Sequence, residues 1–417
     1  MSGGEDEVRR IPVPDWLSRG PAARLLAVLN AGPGEARPVG GAVRNALIGM
    51  APGDIDIATS AVPEAVVSAV KAAGFKSVPT GITHGTVTVV VEGRGFEVTT
   101  LREDIETDGR RAVVRFGHDW KADASRRDFT VNAMSLTRDG VLHDYFGGEA
   151  DLRAGRIRFI GDPIQRIRED RLRILRFFRF HATYAAGEPD AAALAACIAE
   201  RQGLAELSRE RLRMEIMKLV IAGRAGETLQ VMADAGLLGP LIGGVPFCRD
   251  LSRLAEIERL MELPAEAPRR LAALAVLVRE DADRLRDRLS LSNEEYRRLD
   301  GIGHGWHGLD PAHGELAAKA VLFAAGPRGY RDRALVAFAR SGAPPDDTAW
   351  RQLATLAERW KAPAFPISGN DLVARGFTAG PELGAALAAL RAAWIAADFP
   401  TSNSVISGLI SQLTTGR

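Results

Sequence analysis

The chain has 417 residues, 46% of them hydrophobic and 26% charged, with a net charge of +1. That length exceeds one ordinary core and points to about two to four domains, of globular rather than disordered or fibrous composition. A near-neutral balance excludes a chain that is basic throughout, so any nucleic-acid surface is local, and no run approaches the roughly 20 apolar residues of a membrane span.

The opening MSGGEDEVRR is polar and acidic, unlike a signal peptide, and residues 1–15 read as loose. Cys197 and Cys248 show no metal or disulfide spacing, which suits a reducing compartment, so the expected location is cytoplasmic. A helix is expected over residues 15–30, before the turn Gly32-Pro33-Gly34. Gly40-Gly41 then opens a short helix, AVRNALIG. Glycines allow close approach of a ligand to the backbone, and a helix start offers free N–H groups and positive dipole, a setting for phosphate. Arg44, in the first turn, is placed to reach phosphate or sugar oxygens.

Residues 54–57, Asp-Ile-Asp-Ile, read as a strand with Asp54 and Asp56 on one face and Ile55 and Ile57 on the other. Two carboxylates side by side repel unless a cation intervenes. Mg²⁺ is the hard ion that takes one or two carboxylates and leaves room for phosphates. An isolated Asp-x-Asp is also compatible with a solvated strand end. Ser60 is a candidate cap for a helix over 63–73 that ends at Gly74. Two strands, 86–91 and 96–101, form a hairpin across Glu92–Gly95, with Phe96 and Val98 inward and Glu97 on the opposite face. Residues 101–121 are dense in charge and read as a mobile excursion.

ASRRDFTVNAM, residues 124–134, places Arg127 beside Asp128 ahead of an apolar helix start, with Asp128 positioned to orient Arg127. Pro163 starts a helix predicted to run to Phe180, with Asp170, Arg173, Arg176 and Arg179 spaced by three along one slowly winding polar stripe. Leu172, Leu175 and Phe178 form the apolar stripe beside it. Ser208 caps a further helix over 207–220. The remainder reads as helical, broken at 236–244, 263–264, 301–308 and 341–346. Near the end, Gly376, Gly380, Pro381 and Gly384 mark a turn into an Ala-rich helix, a candidate phosphate contact.

Taken together, the Gly-Gly turn, DIDIA, RRDFTVNAM and the EDRLR helix resemble the class II tRNA nucleotidyltransferase (CCA-adding enzyme) and bacterial poly(A) polymerase family. The resemblance covers residues 36 to about 225, with a weaker echo in the C-terminal turn. It implies an α+β fold: a polymerase-β-like nucleotidyltransferase head with a small mixed sheet, then an all-helical neck, body and tail. The implied divisions are an N-terminal extension and helix over 1–30, head over 31–160, neck over 161–225, body over 226–345 and tail over 346–417.

The resemblance further implies that Asp54 and Asp56 hold two Mg²⁺ for a two-metal mechanism and, with Glu97, form the catalytic set. Gly40, Gly41, Arg44, Arg127, Asp170, Arg173, Arg176 and Arg179 are implied to bind the nucleotide. Asp170 and Arg173 would read the base edge of CTP or ATP, and the acceptor would be tRNA. The family usually has Asp where this chain has Asn45, which drops a charge beside Arg44. No His-Asp dyad of the kind seen in some relatives is present. Poly(A) polymerase, an A-only or CC-only enzyme, and a non-catalytic RNA-binding protein are the alternatives.

Overall fold

The computed structural model describes residues 9–81, 85–108 and 111–415, with the backbone alone for 79–81, 103–116 and 413–415. Residues 1–8, and with them most of the expected loose N-terminus, lie outside the described residues. The chain divides into two compact units. One runs to Thr228 and includes Ala235–Leu237; the other comprises Leu229–Asp234 and everything from Leu238 onward.

The first unit carries the sheet. Its strands are β1 (Arg9–Arg10), β2 (Ala36–Val39), β3 (Asp56–Thr59), β4 (Lys76–Gly81), β5 (Thr86–Val91), β6 (Arg94–Thr100), β7 (Arg102–Asp108), β8 (Arg111–Phe116), β9 (Ser135–Leu136) and β10 (Val141–His143). Eight of them form one mixed sheet in the order β1-β10-β9-β2-β3-β6-β5-β4. The β3–β6 pair is parallel and its neighbours are antiparallel. β5 alternates valine inward with threonine or valine half-buried, as a strand packed on one face requires. The β5–β6 hairpin turns on two residues, Glu92 (φ 50°) and Gly93 (φ 77°), the doubly left-handed geometry that matches strand twist.

Several expectations are corrected. The helix expected over 15–30 is two pieces, Asp15–Ser18 and Gly20–Leu29, because Gly20 takes φ 85° ahead of Pro21. Ser60 does not cap the next helix; its hydroxyl accepts from the Glu35 N–H (2.9 Å) and ties two loops together. The charged excursion is β7 and β8, paired as a separate antiparallel ribbon; its tip lies outside the described residues. After Gly147, Gly148 starts a helix to Arg153, and beyond it Phe159 makes a single bridge to Phe129.

The long Arg-rich helix is also interrupted. Pro163–Glu169 ends at Asp170, which is extended (φ −151°, ψ 107°), and a second helix runs Arg173–Tyr184. The Asp170 carboxylate accepts from the Leu172 N–H at 3.1 Å. A short acidic side chain that bonds nearby backbone competes with the helix ladder. The second piece buries Ile174, Leu175, Phe177, Phe178 and Phe180, leaving Arg173, Arg176 and Arg179 half-buried on the intervening stripe. Ser208 caps Arg209–Val220 by accepting from the Arg211 N–H.

The second unit is helical throughout its described residues. Its longest helix, Gly314–Arg340, kinks at Gly326-Pro327. Gly301 and Gly303, expected in a break, lie inside the helix Asn293–Gly305; Gly303 packs so closely that a Cβ would stand 2.7 Å from the Val278 carbonyl oxygen. A buried ion network crosses this unit: Glu258 accepts from Arg269 and Arg270, each at 2.7 Å, and Asp332 accepts from Arg298 at 2.7 and 2.8 Å. The C-terminal helices close over Ile367, Leu372, Phe377, Leu390 and Ile410. Both cysteines are free and buried. No helix among the described residues is long and apolar enough to cross a membrane.

Candidate active site

The site is built at the end of the central strands. In the parallel β3–β6 pair Ile57 lies beside Val98. Asp56 and Glu97, one residue earlier on each strand, therefore stand side by side on the exposed face. Asp54 is corrected in one respect: it sits in a bend before β3 rather than in the strand. The alternation nevertheless extends through it, with Ile55 at 4% and Ile57 at 1% exposure and both aspartates open to solvent. The Asp56 carboxyl is pushed above the usual carboxylate range, first by desolvation, then by the Glu97 charge, with Asp54 adding and Arg127 opposing. Two like charges, Glu97 and Asp54, are thus felt at the Asp56 oxygen pair.

The glycine turn adjoins these acids. Val39, the last residue of β2, pairs with Asp56 on β3 and with Ser135 on β9. Gly40 follows at φ 67°, its N–H donating to the Met134 carbonyl at 3.1 Å. A Cβ on Gly40 would stand 3.3 Å from Arg127 Nη1, so a bare backbone is what lets this arginine approach. Asp123, not the expected Asp128, orients Arg127, accepting from its Nη2 at 3.2 Å.

Arg44 does not project outward as expected. It is 6% exposed and turned inward. Its Nη2 donates to the Tyr184 hydroxyl at 2.7 Å, its Nη1 to Asn132 Oδ1, and its Nε and Nη2 to Asn45 Oδ1 at 3.3 and 3.1 Å. Burial pulls its pKa below the usual arginine value. Asn132 passes the chain on, donating to Asp128 at 2.9 Å. Asp128 accepts from Arg176 at 2.8 and 2.5 Å. Burial pushes the Asp128 carboxyl up, but Arg176 and the Asn132 and Phe129 donors outweigh it and hold it below the ordinary range. Arg179 donates to Glu215 on the Ser208-capped helix at 2.5 Å.

The expected Asp170–Arg173 pair is not a pair of side chains. Asp170 accepts from Arg211 at 2.8 Å, and Arg173 donates to Glu169 at 2.5 Å and to the Arg166 carbonyl at 2.8 Å. The structure thus gathers Asp54, Asp56, Glu97, Gly40 and Arg127 at one place, and carries Arg44, Arg176 and Arg179 on a network that adjoins it. Asn132, Asp123, Tyr184, Glu215 and Arg211 were missed from the sequence. Glu215 alone carried a signal: it occupies a turn of the stripe Leu212, Ile216, Leu219 where an apolar residue belongs.

Residues 36–158 match the family model described as "Poly A polymerase head domain", and residues 188–248 match one described as "Probable RNA and SrmB- binding site of polymerase A". The chain is 36% identical to CCA tRNA nucleotidyltransferase 1, mitochondrial, of Danio rerio, over 91% of this chain and 87% of that one. The chain belongs to the CCA-adding enzyme and poly(A) polymerase family. Within that family it is 32% identical to the CCA-adding enzyme of Latilactobacillus sakei over 92% of this chain and 96% of the relative. It also matches the structure of the Bacillus stearothermophilus CCA-adding enzyme in complex with CTP, at TM-score 0.77 and 30% identity, covering 94% of this chain and 97% of that one. The expected mixed-sheet head and helical remainder are those of this family.

A hard divalent ion suits the donor set. Asp54, Asp56 and Glu97 offer only carboxylate oxygens, and the charge crowding at Asp56 is what a dication would relieve. Among the described residues no three His, Cys, Asp or Glu side chains close into a cage of their own. An open acidic pair to be completed by substrate phosphates and water is the arrangement expected for Mg²⁺ rather than for an all-protein metal site.

Proposed function

We infer that the chain is a template-independent nucleotidyltransferase that adds or repairs the 3′-terminal CCA of tRNA from CTP and ATP, releasing pyrophosphate. The observation that carries the chemistry is the meeting of Asp54, Asp56 and Glu97 with the Gly40 turn and Arg127. The choice of tRNA, CTP and ATP is supported by the relatives' names and by the CTP complex of the Bacillus enzyme.

In this reading Asp54 and Asp56 hold Mg²⁺, with Glu97 completing the acidic set. Of two such ions, one would lower the pKa of the attacking 3′-hydroxyl and the other would offset charge on the triphosphate and the leaving pyrophosphate. The Gly40-Gly41 backbone gives the triphosphate close access, and Arg127, held by Asp123, meets its negative charge. Arg44 acts on the phosphate or sugar from the buried network behind the Gly40 turn, and Arg176 and Arg179 line the nucleotide on the neck helix. Asp170 and Arg173 read the base edge, each as an acceptor or donor held by its own partner. Catalysis is then chiefly positioning and electrostatics. The head, neck, body and tail divisions, the Gly376–Gly384 phosphate contact and the cytoplasmic location belong to the same proposal; the zebrafish relative's name places that protein in the mitochondrion.

Single-nucleotide primer extension tests the reading. A tRNA lacking its end should gain two C residues with CTP alone and a terminal A once ATP follows. Addition of A alone, in a run, would show a poly(A) polymerase, and no Mg²⁺-dependent pyrophosphate release would show a retired scaffold.

A further inference from the structure

Each of the other arginines placed in the nucleotide site has a carboxylate of its own: Arg127 has Asp123, Arg173 has Glu169, Arg176 has Asp128 and Arg179 has Glu215. Arg44 differs. Among the described residues no carboxylate lies within ion-pair distance of it, and its partners are a phenol and two amides. Burial works most against its cation and the Arg179 charge adds to that, while Tyr184 and, more weakly, the Asp128 charge favour it. A guanidinium so placed, with a long flexible stem, depends on whatever neutral groups fix its direction.

Tyr184 is the partner that reaches Arg44 from the helix Arg173–Tyr184, both by hydrogen bond and by its ring. It is the last residue of the neck helix, whereas Arg44 follows the Gly40 turn of the sheet. The phenol accepts from Arg44 Nη2 at 2.7 Å and donates to Asn45 Oδ1 at 3.5 Å, and its ring lies under the guanidinium carbon, 4.1 Å from centroid. Phe180, one turn earlier, continues this aromatic floor at 5.1 Å. Asn45 is fixed in turn, because its Nδ2 donates to the Ala51 carbonyl at 2.8 Å. Only one orientation of this amide satisfies both the Ala51 carbonyl and the Arg44 donors.

We propose that Tyr184 is a positioning residue for nucleotide binding, aiming Arg44 from the neck helix because no local carboxylate does so. The role rests on the nucleotidyl-transfer reading. It couples the glycine turn of the head to the arginine-bearing helix, so that one phenolic hydroxyl sets how both present themselves to a triphosphate. The side chains that Arg44 bonds are Asn45, Asn132 and Tyr184, none of them assigned to base reading. CTP and ATP are therefore affected alike.

The test is equilibrium binding of CTP and of ATP to the full chain, with KM and kcat from extension of truncated tRNA. Tyr184→Phe keeps the ring beneath Arg44 and removes only the hydroxyl. It should weaken CTP and ATP by about five- to tenfold each, chiefly in Kd and KM rather than kcat. Asn45→Asp gives Arg44 a local carboxylate, so in that background Tyr184→Phe should cost about twofold or less. A melting temperature that falls in Tyr184→Phe while CTP binds as before would mark the phenol as structural only and overturn the role. So would an equal loss in the Asn45→Asp background, or a loss confined to one nucleotide. A parent chain that binds neither nucleotide and extends no tRNA overturns the nucleotidyl-transfer reading instead.

Discussion

Asp56 sits where three charges of one sign meet, and its behaviour decides what the site can do. Its carboxyl is raised by desolvation and by Glu97, so the group favours any partner that brings positive charge to it. Asp56→Asn should reduce nucleotide addition by at least about 100-fold, with tRNA retention in a gel-shift assay unchanged. Turnover retained in this variant would remove the acidic pair from the mechanism. Asp170 carries a different prediction. Its carboxylate is held by Arg211 rather than by Arg173, so Asp170→Ala should blur the choice between CTP and ATP. Arg211→Ala should blur it in the same direction to a smaller extent, read as the ratio of kcat/KM values. Selectivity that survives Asp170→Ala would dismiss base reading by this residue.

At the scale of elements, the helices Arg173–Tyr184 and Arg209–Val220 are held together by ion pairs in which the carboxylate is buried and the arginines half-buried. Glu215 is 5% exposed and takes Arg179 and Arg176. Removing one member of a buried ion pair leaves the other uncompensated, at a cost of about 3–5 kcal/mol. Arg176 keeps Asp128 and Arg179 keeps some solvent, so Glu215→Ala should lower urea stability by less, about 1–3 kcal/mol, without any ligand present. His181 lies on the same helix at 3% exposure, and burial holds its pKa at about 4, with Arg224 contributing and Glu227 opposing. The unfolded chain thus takes up this proton at a higher pH than the folded one. Stability from this group is complete above about pH 6.5 and is lost as pH falls toward 4, by roughly 3 kcal/mol in all. His181→Gln should flatten that slope relative to the parent in urea titrations at successive pH values.

For the whole molecule, the two units are stabilised differently. The first closes a mixed sheet over valines and phenylalanines; the second relies on helix packing around a buried ion network. Glu258, 1% exposed, faces both Arg269 and Arg270. Glu258→Leu should destabilise the second unit by about 3–5 kcal/mol, since it removes a buried carboxylate that two buried arginines share, where replacing all three by apolar groups would not. Tryptophan fluorescence follows it well, because Trp306, Trp350, Trp360 and Trp394 all belong to that unit.

The sequence by itself determined the alternation that turns Asp56 and Glu97 to one face, the cap at Ser208, the apolar stripe of the neck and the order of the elements. These follow from the backbone periods of two and 3.6 residues, which act over a few positions. The tertiary structure decided who partners whom. Arg127 goes to Asp123, Asp128 to Arg176, Asp170 to Arg211, and Arg44 inward to Tyr184, 140 residues away. An arginine has several acidic groups within reach in a charged segment, and local spacing does not rank them. Which one wins depends on burial and on which strand or helix arrives from elsewhere in the chain. The break at Asp170 has the same origin: its carboxylate gained a backbone N–H and a distant guanidinium, and together these outweighed one more turn of helix.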